Sequence, residues 1–369
     1  MDSKAYWVGF NHVKGIGSVR LKKIIDFFGS LEIAWDAPIE AYLSLGFTNS
    51  IIERFLSVRK TIDLEQKWEE IHSKGIEVII WDDDNYPRRL KEIEQPPPVL
   101  YIKGKILEED DWAVAVVGTR RKTIYGSQMA ERISSFLSAN GICIVSGLAR
   151  GIDTISHNTA LGNNGRTIAV LGCGVDRIYP PENKKLAMDI INNGALVSDY
   201  PPGTPPEGNN FPPRNRIISG IAKATIVIEA GKKSGAIITA KFAADQGREV
   251  FAVPGNINSP QSGGTNWLIQ QGARPLVEFN EILEILEFNR KGEYFQARKT
   301  INPNGSEKDI LNVLGNGALH IDEILNRTDL SIDVVSSTLA IMELKGIVRN
   351  LGGKNYCAIN EVISPYGRN

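Results

Sequence analysis

Between about Asp111 and Glu287 the chain alternates apolar runs of strand length with helical periods, and few folds accommodate that pattern. The order is "AVAVV", "YGSQMAERISSFLSAN", "ICIV", "IDTISHNTALGN", "TIAVL", "NKKLAMDIINN", "ALVS", "ATIVIEA", "AIITAKFAADQG" and "EVFAV". Such alternation predicts βαβ units and a mostly parallel, doubly wound α/β sheet covered on both faces. In sheets of this kind ligands sit beyond the carboxyl ends of the strands, so the loops that follow the apolar runs are where function is sought.

Those loops share one chemistry. "VVGTRRKTIYG" supplies Gly118, Thr119 and Arg120, and "VSGLARGID" supplies Ser146, Gly147, Arg150 and Gly151. "LGCGVDRIYPPEN" brings Gly172, Gly174 and Tyr179, and "EAGKKSGAIITA" brings Gly231, Lys232, Lys233, Ser234 and Gly235. "FPPRNRIISG" adds Arg214, Asn215 and Arg216, read as a proline-stiffened loop ahead of a buried strand. Glycine lets the backbone approach an oxyanion, helix N-termini offer free amides, and arginine forks match phosphate geometry. The predicted rim therefore suits phosphate. Tyr179, Phe211 and Trp267 are candidates to stack on bases, with core packing as the competing reading.

Other chemistries are disfavoured. The G-x-G of "GCGVDR" is not completed to G-x-G-x-x-G, and no G-x-x-x-x-G-K-[ST] occurs, against a dinucleotide dehydrogenase or a P-loop ATPase. Asp153 and Glu229 are the carboxylates nearest the rim; the first fits the opening turn of a helix and the second could orient an arginine, whereas either as a general base would mean an enzyme. His157 reads as a packing residue. Three scattered cysteines and four scattered histidines give no disulfide framework and no zinc spacing, and no metal or other cofactor is expected. The absence of an 18-residue apolar run or a signal-peptide pattern leads to the expectation of a cytoplasmic protein without a membrane span. With 42 Lys plus Arg against 43 Asp plus Glu, any nucleic-acid site must be a local concentration of charge.

The flanks form further domains. Residues 1–75 read as short helices, with "HVKGIGSVRLKKIIDFFGS" resembling a helix-hairpin-helix (SAM-like) module whose turn amides could meet a phosphate. A second copy near Gly46 lacks the paired glycines, which favours a plain capping module. A joining segment, 76–110, leads into the α/β domain, taken as 76–287. After a polar linker, 288–305, residues 306–369 read as a winged helix: a capping-box start at Ser306–Asp309, three helices, and two short strands about Gly352 and Gly353. Between Ser306 and Asn360 five Lys plus Arg face seven Asp plus Glu, so this module is expected mainly to contact protein, or DNA only weakly.

The ordered motifs "VVGTRRKTIYG", "SGLARGIDTISHNTAL", "TIAVLGCGVDRIYPPEN", "SDYPPG", "FPPRNRIISG", "EAGKKSGAIITAKFAADQGREVFAVPGN" and "GGTNWLIQQGA" resemble the DprA (Smf) family of natural transformation, across the whole central block. The resemblance implies an extended Rossmann-like fold that dimerises, binds and protects single-stranded DNA in a positive pocket, and helps load the RecA recombinase. It maps the family's arginines onto Arg120, Arg214 and Arg216, and a family lysine onto Lys184 or Lys185. The competing function is a nucleotide-processing hydrolase of the lysine-decarboxylase-like (LOG) Rossmann type. Against it, "EAGKKSGAIITA" lacks that family's glycine pair and helix glutamate, having lysines and Ile238 or Thr239 instead.

Overall fold

The computed structural model describes residues 2–286, 305–315, 317–344 and 348–358. They fall into two compact units, residues 1–281 and 282–369. The linker read at 288–305 lies outside the described residues except for Gly305.

The first unit is built on a nine-stranded sheet of order β1-β2-β6-β5-β4-β3-β7-β8-β9. β3 (Ala113–Val117), β4 (Cys143–Ser146), β5 (Thr167–Val170) and β6 (Gly194–Ser198) run parallel to β7 (Ala224–Val227), β8 (Glu249–Ala252) and the short β9 (Arg274–Pro275). Valine, isoleucine and alanine dominate these strands because the central ones are buried on both faces, where an alternating polar residue would be stranded. The joining segment supplies β1 (Glu77–Ile80), α7 (Arg88–Lys91) and β2 (Val99–Gly104), and β2 pairs antiparallel with β6, so the sheet is mixed.

Helices α8 (Ile124–Ala139), α9 (Ile152–Gly162) and α10 (Lys184–Asn193) cover one face. Helices α11 (Phe211–Ile221) and α12 (Gly235–Asp245) cover the other, with Ile217, Ile218, Ile237 and Ala240 packed on Ala115, Val145 and Ile168. α13 (Gly263–Gln270) packs beside β8. Chain order starts at β3, steps outward through β4, β5 and β6, then returns to the other side of β3 with β7. The crevice at this reversal, between the loops after β3 and β7, is where doubly wound sheets bind ligands.

"FPPRNRIISG" is no loop before a strand but the body of α11, with Pro212 and Pro213 in its first turn. Proline is tolerated there because those backbone positions have no intrahelical acceptor to donate to, and its fixed φ suits the helix.

Among the described residues six helices precede the sheet: α1 (Lys4–Asn11), α2 (Ser18–Phe28), α3 (Leu31–Asp36), α4 (Ile39–Ser44), α5 (Asn49–Thr61) and α6 (Leu64–Ser73). They share one hydrophobic cluster with the sheet edge, in which Trp7, Phe10 and Phe55 join Ile80, Tyr101 and Leu196. Tyr101 also donates its hydroxyl to Asn11 Oδ1 at 3.0 Å, tying α1 to β2. In the glycine turn between α1 and α2, Arg54 donates to the Lys14 carbonyl and Arg20 to the Gly15 carbonyl.

The second unit contains α14 (Gly305–Leu314), α15 (Ile321–Asn326) and α16 (Ile332–Leu344) around Ile310, Ile324, Val335 and Leu339. β11 (Val348–Asn350) and β12 (Asn355–Ala358) make the expected wing, and β10 (Ala318–His320), unrecognised in the sequence, pairs with β12. Ser306 lies inside α14 rather than at a cap before it, which corrects the capping-box expectation.

Candidate nucleic-acid interface

A cavity of about 890 Å³ opens at the carboxyl edge of the sheet, at the reversal point. Its floor is Val117 and Gly118, and Thr119 and Arg120 continue it from the end of β3. Three loops are locked together here: the Thr119 amide donates to the Glu229 carbonyl at 2.7 Å, and the Ile152 amide donates to the Thr119 carbonyl at 3.2 Å. A Cβ on Gly151 would fall 2.3 Å from that carbonyl, and Gly151 has φ of +83°, so the contact requires glycine twice over.

Arg214 and Arg216 part company because they stand two residues apart on a helix and project in different directions. Arg214 is buried at the end of the first turn of α11; its Nη1 donates to the carbonyls of Gly147, at 3.1 Å, and Val170, and its Nε to Asn215 Oδ1 at 3.1 Å. Asn215 in turn donates to the Gly235 carbonyl at 3.2 Å. The pair thus joins the ends of β4 and β5 to the start of α12. A Cβ on Gly147 would meet Arg214 Nη2 at 2.8 Å and Asp153 Oδ2 at 2.9 Å, so both charged groups converge on that glycine. Burial pushes the Asp153 carboxyl up to about 6, opposed by Arg214 and by the amides of Gly147 and Ala149. Burial also lowers Arg214 to about 10, opposed mainly by Asp153, which leaves the guanidinium charged at neutral pH. Arg216 instead pairs with Asp199 at 2.8 Å and donates to the Gln95 carbonyl at 2.6 Å, away from the cavity lining.

Of the other residues singled out in the sequence, Lys233, Ser234 and Gly235 line the cavity, and Ser234 caps α12 by accepting from the Ala236 amide at 3.3 Å. Gly147 lies in an adjoining small cleft with Arg120, Arg150, Tyr179, Phe211 and Arg214. Lys184 and Lys185 open α10 as exposed residues, and Lys232 is exposed; none of the three lines the cavity. Ser146 is fully buried and donates its hydroxyl to the Val116 carbonyl at 2.7 Å, so it works inside the sheet.

The aromatic candidates divide in the same way. Phe211 lines the cavity with the guanidinium carbons of Arg120 and Arg214 each 5.8 Å from its ring centre and the Tyr179 ring 5.6 Å away. Trp267 stands on α13 beneath Lys241, at 5.7 Å, outside that lining. Among the described residues Glu229 orients no arginine: its carboxylate accepts from the amide and hydroxyl of Thr123, at 2.9 and 2.8 Å, and so anchors the start of α8. His157 is buried; since the Thr167 hydroxyl donates to the Ile144 carbonyl, His157 Nδ1–H donates to Thr167 Oγ1 at 2.6 Å. The sequence reading missed Pro260 and Gln261, which close the cavity from the loop after β8. The strand-end rule applied to "EVFAV" was the signal available for them. Among the described residues no three His, Cys, Asp or Glu side chains converge as metal ligands, and no helix is long and apolar enough to cross a membrane.

The model of the family described as DNA recombination-mediator protein A matches residues 77–287, the span of the sheet and its cavity. The chain belongs to this family. The DprA winged helix domain matches residues 296–354. Protein Smf of Synechocystis sp. is 37% identical over 96% of this chain and 98% of its own length. The X-ray structure of DNA processing protein A from Streptococcus pneumoniae superposes with a TM-score of 0.67 and 34% identity, covering 77% of this chain and 98% of that one. A structure of DNA processing protein A from Helicobacter pylori, described as showing its single-stranded DNA binding mode, superposes with a TM-score of 0.52 and 31% identity over 58% of this chain and 96% of that one. These matches agree with the family resemblance carried by the sequence motifs and with an α/β, Rossmann-like fold.

Proposed function

We propose that the chain is a single-stranded DNA-binding recombination mediator and that the strand lies along the carboxyl edge of the sheet. The observation that carries this reading is Arg120: exposed, held by no carboxylate among the described residues, and set over Phe211 at a glycine-walled cavity that also receives Lys233. Cations there would neutralise phosphates without reading sequence, and Phe211 and Tyr179 offer faces to unpaired bases. In this reading Gly118, Thr119, Arg120, Lys233, Ser234 and Gly235 meet the strand. Lys184, Lys185 and Lys232 extend the positive edge, while Gly147, Arg214 and Asn215 hold its walls and Ser146 and Arg216 brace the fold behind it. The relative from Helicobacter pylori, described as binding single-stranded DNA, supports the same ligand.

A binding role fits the carboxylates better than a catalytic one. Asp153 Oδ2 accepts from two backbone amides and the Glu229 carboxylate from the amide and hydroxyl of Thr123, so each is already engaged in holding a loop of the rim. The reading extends to a cytoplasmic homodimer, paired through the Rossmann-like domain, that protects incoming strands and passes them to the RecA recombinase. A competition assay tests it: a labelled single strand bound to the chain should be displaced by unlabelled single strand, and poorly by duplex or by mononucleotides. Displacement by mononucleotides at equal concentration, with release of base from them, would replace this reading with the nucleotide hydrolase.

A further inference from the structure

We infer that Arg150 is a further phosphate ligand of this edge and that Glu182 is its internal counterion, holding the phosphate's place until a strand arrives. The inference rests on the single-stranded DNA reading above.

Arg150 stands in the loop after β4, and its Nε and Nη2 both donate to the Glu182 carboxylate, the second at 3.1 Å. This is the two-pronged grip with which an arginine holds a phosphate. Both side chains are about half exposed, 52% and 51%, so the pair can open without stranding a buried charge. Exposed ion pairs are screened and hold their partners weakly.

Its position places it on the strand's path. Neighbouring strands lie about 4.8 Å apart. The order β5-β4-β3-β7 therefore sets the loop of Arg150 between Lys184 and Lys185 on one side and Arg120 and Lys233 on the other. Arg150 shares its small cleft with Arg120 and Arg214, around Tyr179 and Phe211. Three guanidinium groups in one cleft repel one another, and two carboxylates answer them. Asp153 is buried and bound to backbone amides, whereas Glu182 is exposed and free to leave.

Pairing along the edge is selective. Among the described residues Arg120, Lys184, Lys185, Lys232 and Lys233 make no ion pair, whereas Arg150 makes a double one. The exchange conserves charge, because a phosphodiester replaces a carboxylate on the same guanidinium. The released Glu182 belongs to the turn Pro181–Asn183 just ahead of α10, where a helix N-terminus favours negative charge. Glu182 thereby sets how readily the edge accepts an anion.

The test is fluorescence anisotropy of a labelled single-stranded oligonucleotide over a salt series, using the full chain, Arg150→Ala, Glu182→Gln and the double variant. Arg150→Ala should weaken binding and reduce the log–log salt slope by roughly 0.7, one single-strand phosphate contact. Glu182→Gln should tighten low-salt binding by about threefold or more, and that gain should vanish when Arg150 is also alanine, the signature of a direct coupling. The inference is overturned if Arg150→Ala binds like the unmodified chain. It is equally overturned if the Glu182→Gln gain persists in the double variant, which would make it a general effect of removing a negative charge. An unmodified chain that shows no preference for single strands removes the functional reading itself; an unmodified chain that binds while the variants behave alike removes only the role of Arg150 and Glu182.

Discussion

Arg120 and Arg214 look equivalent in the sequence and are not. Arg214 is 4% exposed and bound to two strand-end carbonyls beside Asp153, so Arg214→Ala leaves a buried carboxylate facing no cation. Breaking such an arrangement costs about 3–5 kcal/mol, and urea unfolding should show that loss. Arg120→Ala removes an exposed side chain and should change unfolding by less than about 0.5 kcal/mol while weakening single-strand binding. His157 gives the pH dependence. Burial lowers it to about 3, so the folded chain refuses a proton that an unfolded histidine accepts near 6.5. Its contribution to stability is therefore complete above pH 6.5 and is lost as the pH falls toward 3. Asp153, raised to about 6, acts in the opposite sense: its protonation adds stability as the pH falls from 6 toward the ordinary carboxylate value. Between pH 7.5 and 5.5 the histidine alone should cost about 1.4 kcal/mol, and His157→Gln, which cannot titrate, should flatten the profile by that amount in paired urea titrations.

At the scale of elements, the central strands were legible because both faces are buried and the runs are short, apolar and separated by glycine turns. α11 was not, because Pro212 and Pro213 signal a break wherever a helix start is not considered, and only the fold shows that their positions need no amide donor. β9 and β10, two and three residues long, carry too little pattern to be seen in sequence. The glycines of the phosphate-like loops were legible as a group, whereas the structural ones among them were not. Gly151→Ala should destabilise by about 1–3 kcal/mol from its positive φ, with more from the clash with Thr119, and should loosen the β3 loop that carries Arg120. Gly235→Ala is the control: with no atom within 4 Å of its Cβ position, it should unfold like the unmodified chain in the same urea series.

For the whole molecule, the sequence showed the α/β block and the winged helix through their periodicities, and the chemistry of the rim through its glycines and cations. Which cations share a cavity depended on strand order and helix phase, neither of which is written locally; this is why Arg216 fell outside the lining and Pro260 and Gln261 came in. The winged helix keeps its own small core, and α16 exposes Ile332, Val334 and Ile341 while carrying Asp333 and Glu343, a face that among the described residues is poor in the cations a duplex reader needs. The sheet edge is therefore the proposed DNA site. Its most direct test is the anisotropy of labelled single-stranded and double-stranded oligonucleotides over a salt series, with the unmodified chain and Arg120→Ala/Lys233→Ala. Preference for the single strand is expected, with a log–log salt slope of roughly −0.7 per phosphate contacted that becomes shallower by roughly 1.4 in the double variant. Equal binding by both proteins, or binding without salt dependence, would contradict it.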